Sequence, residues 1–168
     1  MKVALIGATG FVGKAVLDEL LARGHDVTAL VRDPAKLEAR PHLQVTKADV
    51  RNADEVHAAV AGTDAVISAY NAGWANPDLY NEFLQGTRAI VAGTKAAGVK
   101  RYIVIGGAGS LYAADGTQLV DSPSFPAAIY PGASAARDAL TELRNETSLD
   151  WTQLSLSLIH ISEPTRRY

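Results

Sequence analysis

The feature that most constrains this chain is a glycine-containing turn that begins at the seventh residue. The turn, residues 7–13, directly follows an apolar segment, Lys2–Ile6, and opens an amphipathic one. Gly7 permits a tight turn, Gly10 lets the backbone approach a phosphate closely, and Gly13 allows a helix to pack near the preceding strand. A glycine pattern alone is also compatible with a purely structural turn, but a strand before it and a helix after it favour dinucleotide binding.

The free N–H groups and the positive end of the helix that starts here suit a pyrophosphate. The spacing is G-x-x-G-x-x-G rather than G-x-G-x-x-G. We expect the following residues to contact the cofactor at this turn: Gly7, Thr9, Gly10, Phe11, Val12 and Gly13.

Short apolar segments alternate with helical patterns along the rest of the chain. The segments predicted as strands are Lys2–Ile6, Asp26–Val31, Leu43–Lys47, Ala65–Ser68 and residues 101–105. Runs this apolar suit strands that are covered on both faces, and strand–helix alternation predicts right-handed βαβ units. The fold class is therefore α/β, a Rossmann-like doubly wound parallel sheet with helices on both faces.

Helix boundaries are predicted from capping residues. Asn52 with Glu55 resembles a capping box, and Asn76 followed by proline is typical of an N-cap with proline at the first helical position. A further helix begins near Pro131. The long irregular stretch, residues 112–130, predicts a functional lid or binding loop, with a passive surface insertion as the alternative.

Composition excludes several classes of function. The 168 residues are 48% hydrophobic and 20% charged, with a formal net charge of -2 and no cysteine. No basic patch for nucleic acid and no polybasic membrane run is visible, and the four histidines are not spaced as metal ligands. The initial apolar run stops at Gly7, too short for a signal sequence or a membrane span. We expect no metal, no nucleic acid or membrane partner, and a cytoplasmic location.

The end of the second predicted strand should select between NAD and NADP. An acidic residue there would bind the ribose 2′-hydroxyl, whereas this chain has Arg32, followed by Asp33. A guanidinium suits the 2′-phosphate, so NADP(H) is preferred over NAD(H). In the alternative, Arg32 is a solvated charge and Asp33 binds the ribose.

Further cofactor contacts are predicted where other strands end, since ligands of such sheets lie at the carboxyl edge. Residues after the third strand would pass beside the adenine, and those after the fifth would face the nicotinamide. Ordinary turn chemistry is the alternative for each. The candidates are Asp49, Val50, Ser68, Ala69, Tyr70, Gly106 and Gly107.

Several segments together resemble the atypical short-chain dehydrogenases with an NAD(P)H-binding, NmrA-like domain. The segments are residues 7–13, Arg32, residues 47–50, 68–71, 98–101, 106–111 and 149–152. The resemblance is strongest to a bacterial group of proposed NADH-flavin reductases related to biliverdin-IXβ/flavin reductase. It implies an NAD(P)H-binding oxidoreductase with a small-molecule acceptor.

The chain departs from that family where a catalytic acid is expected. The family's Tyr-x-x-x-Lys pair has no match, because Ser134 stands four residues after Tyr130. The family's serine aligns nearer to Ala108 than to Ser110, so Ser110 and Tyr130 are weak catalytic candidates. A flavin or quinone needs less proton chemistry than a carbonyl, which favours hydride transfer to a flat acceptor, with flavin as a substrate. The alternative is a non-catalytic NADP(H)-binding redox sensor, and the missing pair disfavours a sugar-nucleotide epimerase.

The last residues do not resemble the family. Residues 156–168 look like a translated sequencing-adapter (transposase mosaic-end) sequence. We therefore expect residues 1–155 to be an NAD(P)-binding Rossmann domain that is incomplete at its C-terminus, followed by a non-native tail. The alternative is a genuine short terminus that extends the sixth strand.

Overall fold

The computed structural model describes residues 1–156. Six strands form one parallel sheet in the order β3-β2-β1-β4-β5-β6. The strands are β1 (Lys2–Ile6), β2 (Asp26–Val31), β3 (Leu43–Lys47), β4 (Ala65–Ser68), β5 (Arg101–Gly107) and β6 (Asp150–Leu156). The predicted doubly wound α/β fold is confirmed. β5 runs two residues further than predicted because Gly106 and Gly107 pair with Ser155 and Leu156 of β6.

In residues 1–156, four α-helices cover the two faces of the sheet: α1 (Phe11–Ala22), α2 (Ala53–Val60), α3 (Leu79–Ala96) and α4 (Tyr130–Leu143). Neighbouring residues of a strand point to opposite faces. Accordingly, Leu5 of β1 packs in one core cluster with Leu17 of α1, whereas Ile6 packs in another with residues of α2, α3 and α4. One helix therefore covers one face, and three cover the other.

Two predicted helix starts have different outcomes. Asn52 caps α2 as predicted, since its side chain accepts hydrogen bonds from the N–H groups of Asp54 and Glu55. The prediction that Asn76 caps α3 is wrong. Its side chain accepts from the N–H of Asp78 in a turn, and Asp78 occupies the N-cap position of a helix that begins at Leu79.

The connection from β2 to β3 contains only a short 3-10 turn, Pro34–Lys36, in place of a helix. Three further 3-10 turns, Ala108–Ser110, Leu119–Asp121 and Ala127–Ile129, lie between β5 and α4.

The last described residue of β6, Leu156, pairs with Gly107. The rest of the predicted adapter-derived tail, residues 157–168, lies outside the described residues. Within the described part of the chain, no helix combines the length and apolarity needed to cross a membrane.

Candidate functional site at the carboxyl edge

The glycine turn lies between β1 and α1, and the packing of the chain itself explains two of its glycines. Gly7 has a φ of +82°, and a Cβ there would lie 2.4 Å from the carbonyl oxygen of Ala69. A Cβ on Gly13 would lie 2.0 Å from the carbonyl oxygen of Gly7. Any side chain at either position would overlap backbone, so the turn requires glycine whether or not a ligand binds.

Gly10 differs from these two residues. A Cβ on Gly10 would approach only the Gly7 carbonyl oxygen, at 3.4 Å, which is an ordinary contact. Gly10 is exposed and is the N-cap of α1, with no side-chain hydrogen bond to the first turn of the helix. The backbone N–H groups at the start of α1 are thus not capped by a side chain, and the space in front of Gly10 is open.

Arg32 and Asp33 follow β2 and are both exposed. Asp33 accepts a hydrogen bond from the N–H of Ala35 through its side chain, as the cap of the 3-10 turn. Within residues 1–156, Arg32 makes neither a side-chain hydrogen bond nor an ion pair by geometric criteria, but it is near enough to help lower the pKa of Asp49. The guanidinium at the end of β2 is therefore a cation whose hydrogen-bonding groups are unused in this part of the chain.

Asp49, predicted to lie beside the adenine, is held by a neighbouring arginine. Arg51 donates to both carboxylate oxygens of Asp49, from Nε at 3.1 Å and from a terminal nitrogen at 2.9 Å, and also pairs with Glu82 of α3 at 3.3 Å. The hydrogen bonds from Arg51 lower the pKa of Asp49. The adjacent Val50 is buried. Asp49 thus orders the turn after β3, and Arg51 connects this turn to α3.

The residues after β4 pack against the glycine turn and α3. Ser68 is buried, and the carbonyl of Ala69 is the group that crowds Gly7. Tyr70 stacks on Phe83 with ring centroids 5.7 Å apart and donates from its hydroxyl to the carbonyl oxygen of Glu82. Burial raises the pKa of Tyr70. These residues shape the edge of the sheet next to β1.

The end of β5 combines an open position with a buried hydroxyl. A Cβ on Gly106 would overlap Gln153 of β6 at 2.6 Å, whereas one on Gly107 would meet nothing within 4 Å. Ser110 is 5% exposed and donates to the carbonyl oxygen of Gly107, with Ser155 Oγ 3.2 Å away. The Ser110 hydroxyl is thus committed to neighbouring protein groups.

Tyr130, the other catalytic candidate, is the first residue of α4 and is 45% exposed. Its ring packs edge-on against Phe125, with centroids 6.4 Å apart. Ser134 directs its hydroxyl to the Tyr130 carbonyl oxygen at 2.8 Å, so no cationic side chain stands one helical turn after the tyrosine. Within the described residues, no hydrogen bond joins Tyr130 to Ser110, and the two do not form a catalytic pair.

Sequence reasoning missed the polar network that joins residues 112–130 to α4. Arg137 contacts Gln118 and Asp121 of this stretch, and Asp138 beside it accepts from the Tyr80 hydroxyl. The adjacent Arg137 and Asp138, in a segment otherwise rich in alanine, were the available sequence signal.

A cavity in the described residues lies away from these strand ends. A cleft of about 470 Å³ runs between α3 and α4, lined by Val91, Ala139 and Leu143 and flanked by the Arg88–Glu142 and Lys95–Glu146 ion pairs. This cleft lies on the outer surface of the two helices and not at the strand ends, so its size is no reason to place the cofactor site there. The strand ends define the site better, because ligands of doubly wound sheets bind there.

Comparison with known proteins defines the class. The sequence matches the NAD(P)H-binding family over residues 7–168, and the chain belongs to that family. This confirms the resemblance to the atypical short-chain dehydrogenases.

Particular relatives cover most of the chain. An uncharacterised Bacillus subtilis protein, YwnB, is 35% identical, with 92% of this chain and 71% of that protein covered. The structure of a proposed epimerase from Bacteroides thetaiotaomicron is 46% identical, covers 92% of this chain and 69% of its own, and has a TM-score of 0.84. A proposed NADH-flavin reductase from Streptococcus pneumoniae is 37% identical, covers 92% and 71%, and has a TM-score of 0.75. The chain spans only about a third of the longer dehydrogenases and reductases among its curated relatives.

Proposed function

We propose that this protein is an NADPH-dependent reductase that delivers hydride to a flat acceptor such as a flavin or a quinone. The observation that carries the proposal is an uncapped helix start behind Gly10 combined with the Arg32 guanidinium at the end of the neighbouring strand, which has no hydrogen-bond or ion-pair partner within residues 1–156. The flavin-reductase name of the Streptococcus pneumoniae relative supports the choice of acceptor class.

The residues present fit a dinucleotide phosphate. Uncapped N–H groups and the positive end of the helix stabilise an anion. Gly10 itself has no side chain, so the space in front of it is open to a phosphate. Arg32 would form charge-assisted hydrogen bonds with a 2′-phosphate. Asp33 is less suited to the ribose because its side chain already caps the turn at Ala35. The pyrophosphate would thus rest on the start of α1, and the adenosine end near Arg32.

The nicotinamide end would lie near Gly107, where the backbone is open. When bound, the reduced nicotinamide supplies a hydride. The described residues offer little proton chemistry there, since Ser110 is engaged by Gly107 and Tyr130 has Ser134 in place of a lysine. A conjugated acceptor accepts hydride through its own ring system, so the protein mainly aligns two rings and excludes water.

The test is NADPH oxidation with FMN, quinones and tetrapyrroles offered in turn as acceptors. We expect turnover with at least one of them. Tyr130→Phe should reduce that turnover by less than about tenfold, below the usual contribution of a general acid. A larger loss at unchanged cofactor affinity would make Tyr130 a catalytic residue, and no oxidation with any acceptor would contradict the reductase proposal.

A second candidate is an NADP(H)-binding redox sensor without turnover. The commitment of the Ser110 hydroxyl to protein groups favours it, because no acid is available to a substrate at that position. Binding of NADPH without oxidation of NADPH by any acceptor would support the sensor.

A further inference from the structure

The irregular stretch of residues 112–130, which follows the 3-10 turn after β5 and ends with the first residue of α4, is anchored at its centre. We call this stretch the acceptor loop. Most of its residues are exposed, but Val120 is 1% exposed, and a Cβ on Gly109 would lie 3.3 Å from both the Val120 and the Ala133 side chains. Val120 therefore packs between the turn after β5 and α4, while residues 112–116 and most of residues 121–130 are exposed.

A single arginine joins this anchor to α4. A terminal nitrogen of Arg137 lies 2.8 Å from an Asp121 carboxylate oxygen and 3.2 Å from the Gln118 side-chain oxygen. Its Nε donates to Asp138 at 2.5 Å, and the Arg137 side chain is only 20% exposed. The Arg137 guanidinium donates to three acceptor groups and holds them in one geometry, because its N–H groups are fixed in a plane.

Two of the residues that accept hydrogen bonds from Arg137 make further hydrogen bonds to other elements. Asp138 is fixed by the hydroxyl of Tyr80 on α3, at 2.6 Å. Gln118, whose oxygen accepts from Arg137, uses its nitrogen to donate to the carbonyl of Ser110 at 3.3 Å. A continuous set of hydrogen bonds thus connects α3, α4, the acceptor loop and the turn that follows β5.

We propose that Arg137 is the positioning residue that holds the acceptor loop at the hydride-accepting side of the site, acting through Gln118 and Asp121. The loop begins with Tyr112, which is 60% exposed, and ends at Tyr130. These two aromatic rings offer apolar surface to a flat acceptor at the carboxyl edge. The inference rests on the proposed reductase function, but the attachment of the loop can be measured without turnover.

The test compares three variants with the wild type. Arg137→Met keeps the apolar part of the side chain and removes the guanidinium, whereas Arg137→Lys keeps the positive charge. Asp121→Asn removes the negative charge of the exposed loop residue that pairs with Arg137. Arg88→Met is the matched control, because Arg88 pairs with Glu142 across the same two helices at an exposed position away from the loop. Thermolysin cleavage near Leu119 and Val120, followed by mass spectrometry, reports how firmly the loop is held.

We expect Arg137→Met and Asp121→Asn to speed cleavage in the loop about tenfold and to raise the KM for the acceptor by a similar factor, with NADPH affinity changed less than about twofold. Arg137→Lys should fall between wild type and Arg137→Met, and Arg88→Met should match the wild type. Unchanged cleavage in both Arg137→Met and Asp121→Asn would overturn the anchoring. Faster cleavage with an unchanged acceptor KM would overturn the positioning role while leaving the reductase function intact. A wild type that binds NADPH but reduces no acceptor would contradict the reductase function, and with it the role of Arg137 at an acceptor site.

Discussion

At the scale of single residues, the glycines of the first turn separate what folding requires from what a ligand requires. Folding requires glycine at positions 7 and 13, because a Cβ there would lie 2.4 and 2.0 Å from a backbone carbonyl oxygen. Gly10 has no comparable contact, so the protein alone gives no reason for glycine there. This contrast makes Gly10 the most informative position in the turn.

We therefore expect Gly10→Ala to impair cofactor binding and Gly13→Ala to impair folding stability. Gly10→Ala should weaken NADPH binding by about tenfold or more, because its methyl group points into the space proposed for the pyrophosphate, with thermal stability close to wild type. Gly13→Ala should lower the free energy of unfolding by at least about 2 kcal/mol, through overlap with the Gly7 carbonyl. Calorimetric titration and urea unfolding of both variants measure the two effects. Retained NADPH affinity in Gly10→Ala would show that the phosphates bind elsewhere.

Tyr102 carries a buried hydroxyl with no hydrogen-bond partner among the described residues. The side chain is fully buried, and this burial raises the pKa of Tyr102 despite the nearby Ser68 hydroxyl, which lies outside hydrogen-bond geometry. An unsatisfied buried hydroxyl costs about 1–3 kcal/mol.

Tyr102→Phe should consequently raise the free energy of unfolding by about 1 kcal/mol. Tyr80→Phe is the matched control, because it also removes a tyrosine hydroxyl. The Tyr80 hydroxyl donates a hydrogen bond to Asp138, so this variant should be less stable than the wild type. Chemical unfolding at neutral pH compares them. Loss of stability in Tyr102→Phe would mean that the hydroxyl is hydrogen-bonded after all, for example to a buried water.

At the scale of elements, the connection from α4 to β6 is tied to α3 by Glu146. Its carboxylate accepts from Lys95 Nζ at 2.7 Å, from the Ser148 N–H at 2.6 Å and from the Ser148 hydroxyl at 2.5 Å. The hydrogen bond from Lys95, with those from Ser148, lowers the pKa of Glu146 to about 2. Because the folded chain holds this proton less tightly than the unfolded chain, the stabilisation is present above pH 4.5 and is lost as the pH falls towards 2.

Glu146→Gln should lower the free energy of unfolding at pH 7 by about 1–2 kcal/mol, and the difference from wild type should disappear near pH 2. Glu142→Gln, which breaks the more exposed pair with Arg88, should cost less than about 1 kcal/mol. Unfolding curves recorded between pH 7 and pH 2 test this. A deficit for Glu146→Gln that persists at the acid end would contradict the role of its charge.

The strands and the glycine turn were predictable from sequence because their signals are local. Val, Ile and Leu runs mark strands that are covered on both faces, and the turn joins the first run to a helix. The start of α3 was misplaced by two residues because asparagine and aspartate both bind nearby N–H groups, and the sequence does not say which one faces the helix. The sequence does not predict that Asp49 pairs with Arg51, or that the Ser110 hydroxyl contacts Gly107 and Ser155, because these contacts depend on side-chain geometry. The hydrogen bonds from Arg137 to Gln118 and Asp121, and from Tyr80 to Asp138, join residues 16 or more positions apart, which a local sequence pattern does not reveal.

At the scale of the whole molecule, the candidate site is assembled from loops that leave one edge of a single sheet. The glycine turn leaves β1, Arg32 leaves β2, and the acceptor loop follows β5. The strand order β2-β1-β4-β5 brings these segments to one edge of the sheet, even though about 100 residues separate the first from the last. The cleft between α3 and α4 lies on the outer helix surface and contributes nothing to this edge.

The most direct test of the account is a calorimetric titration of NADPH and NADH against the wild type, Arg32→Ala and the control Lys36→Ala, which removes a nearby exposed charge. The wild type should bind NADPH more tightly than NADH. Arg32→Ala should weaken NADPH by about 1.5–3 kcal/mol, the range for hydrogen bonds to a charged group, and leave NADH nearly unchanged. Lys36→Ala should affect neither cofactor. Equal losses for both cofactors in Arg32→Ala, or a wild type that binds neither, would contradict the proposal that the edge of this sheet holds NADPH.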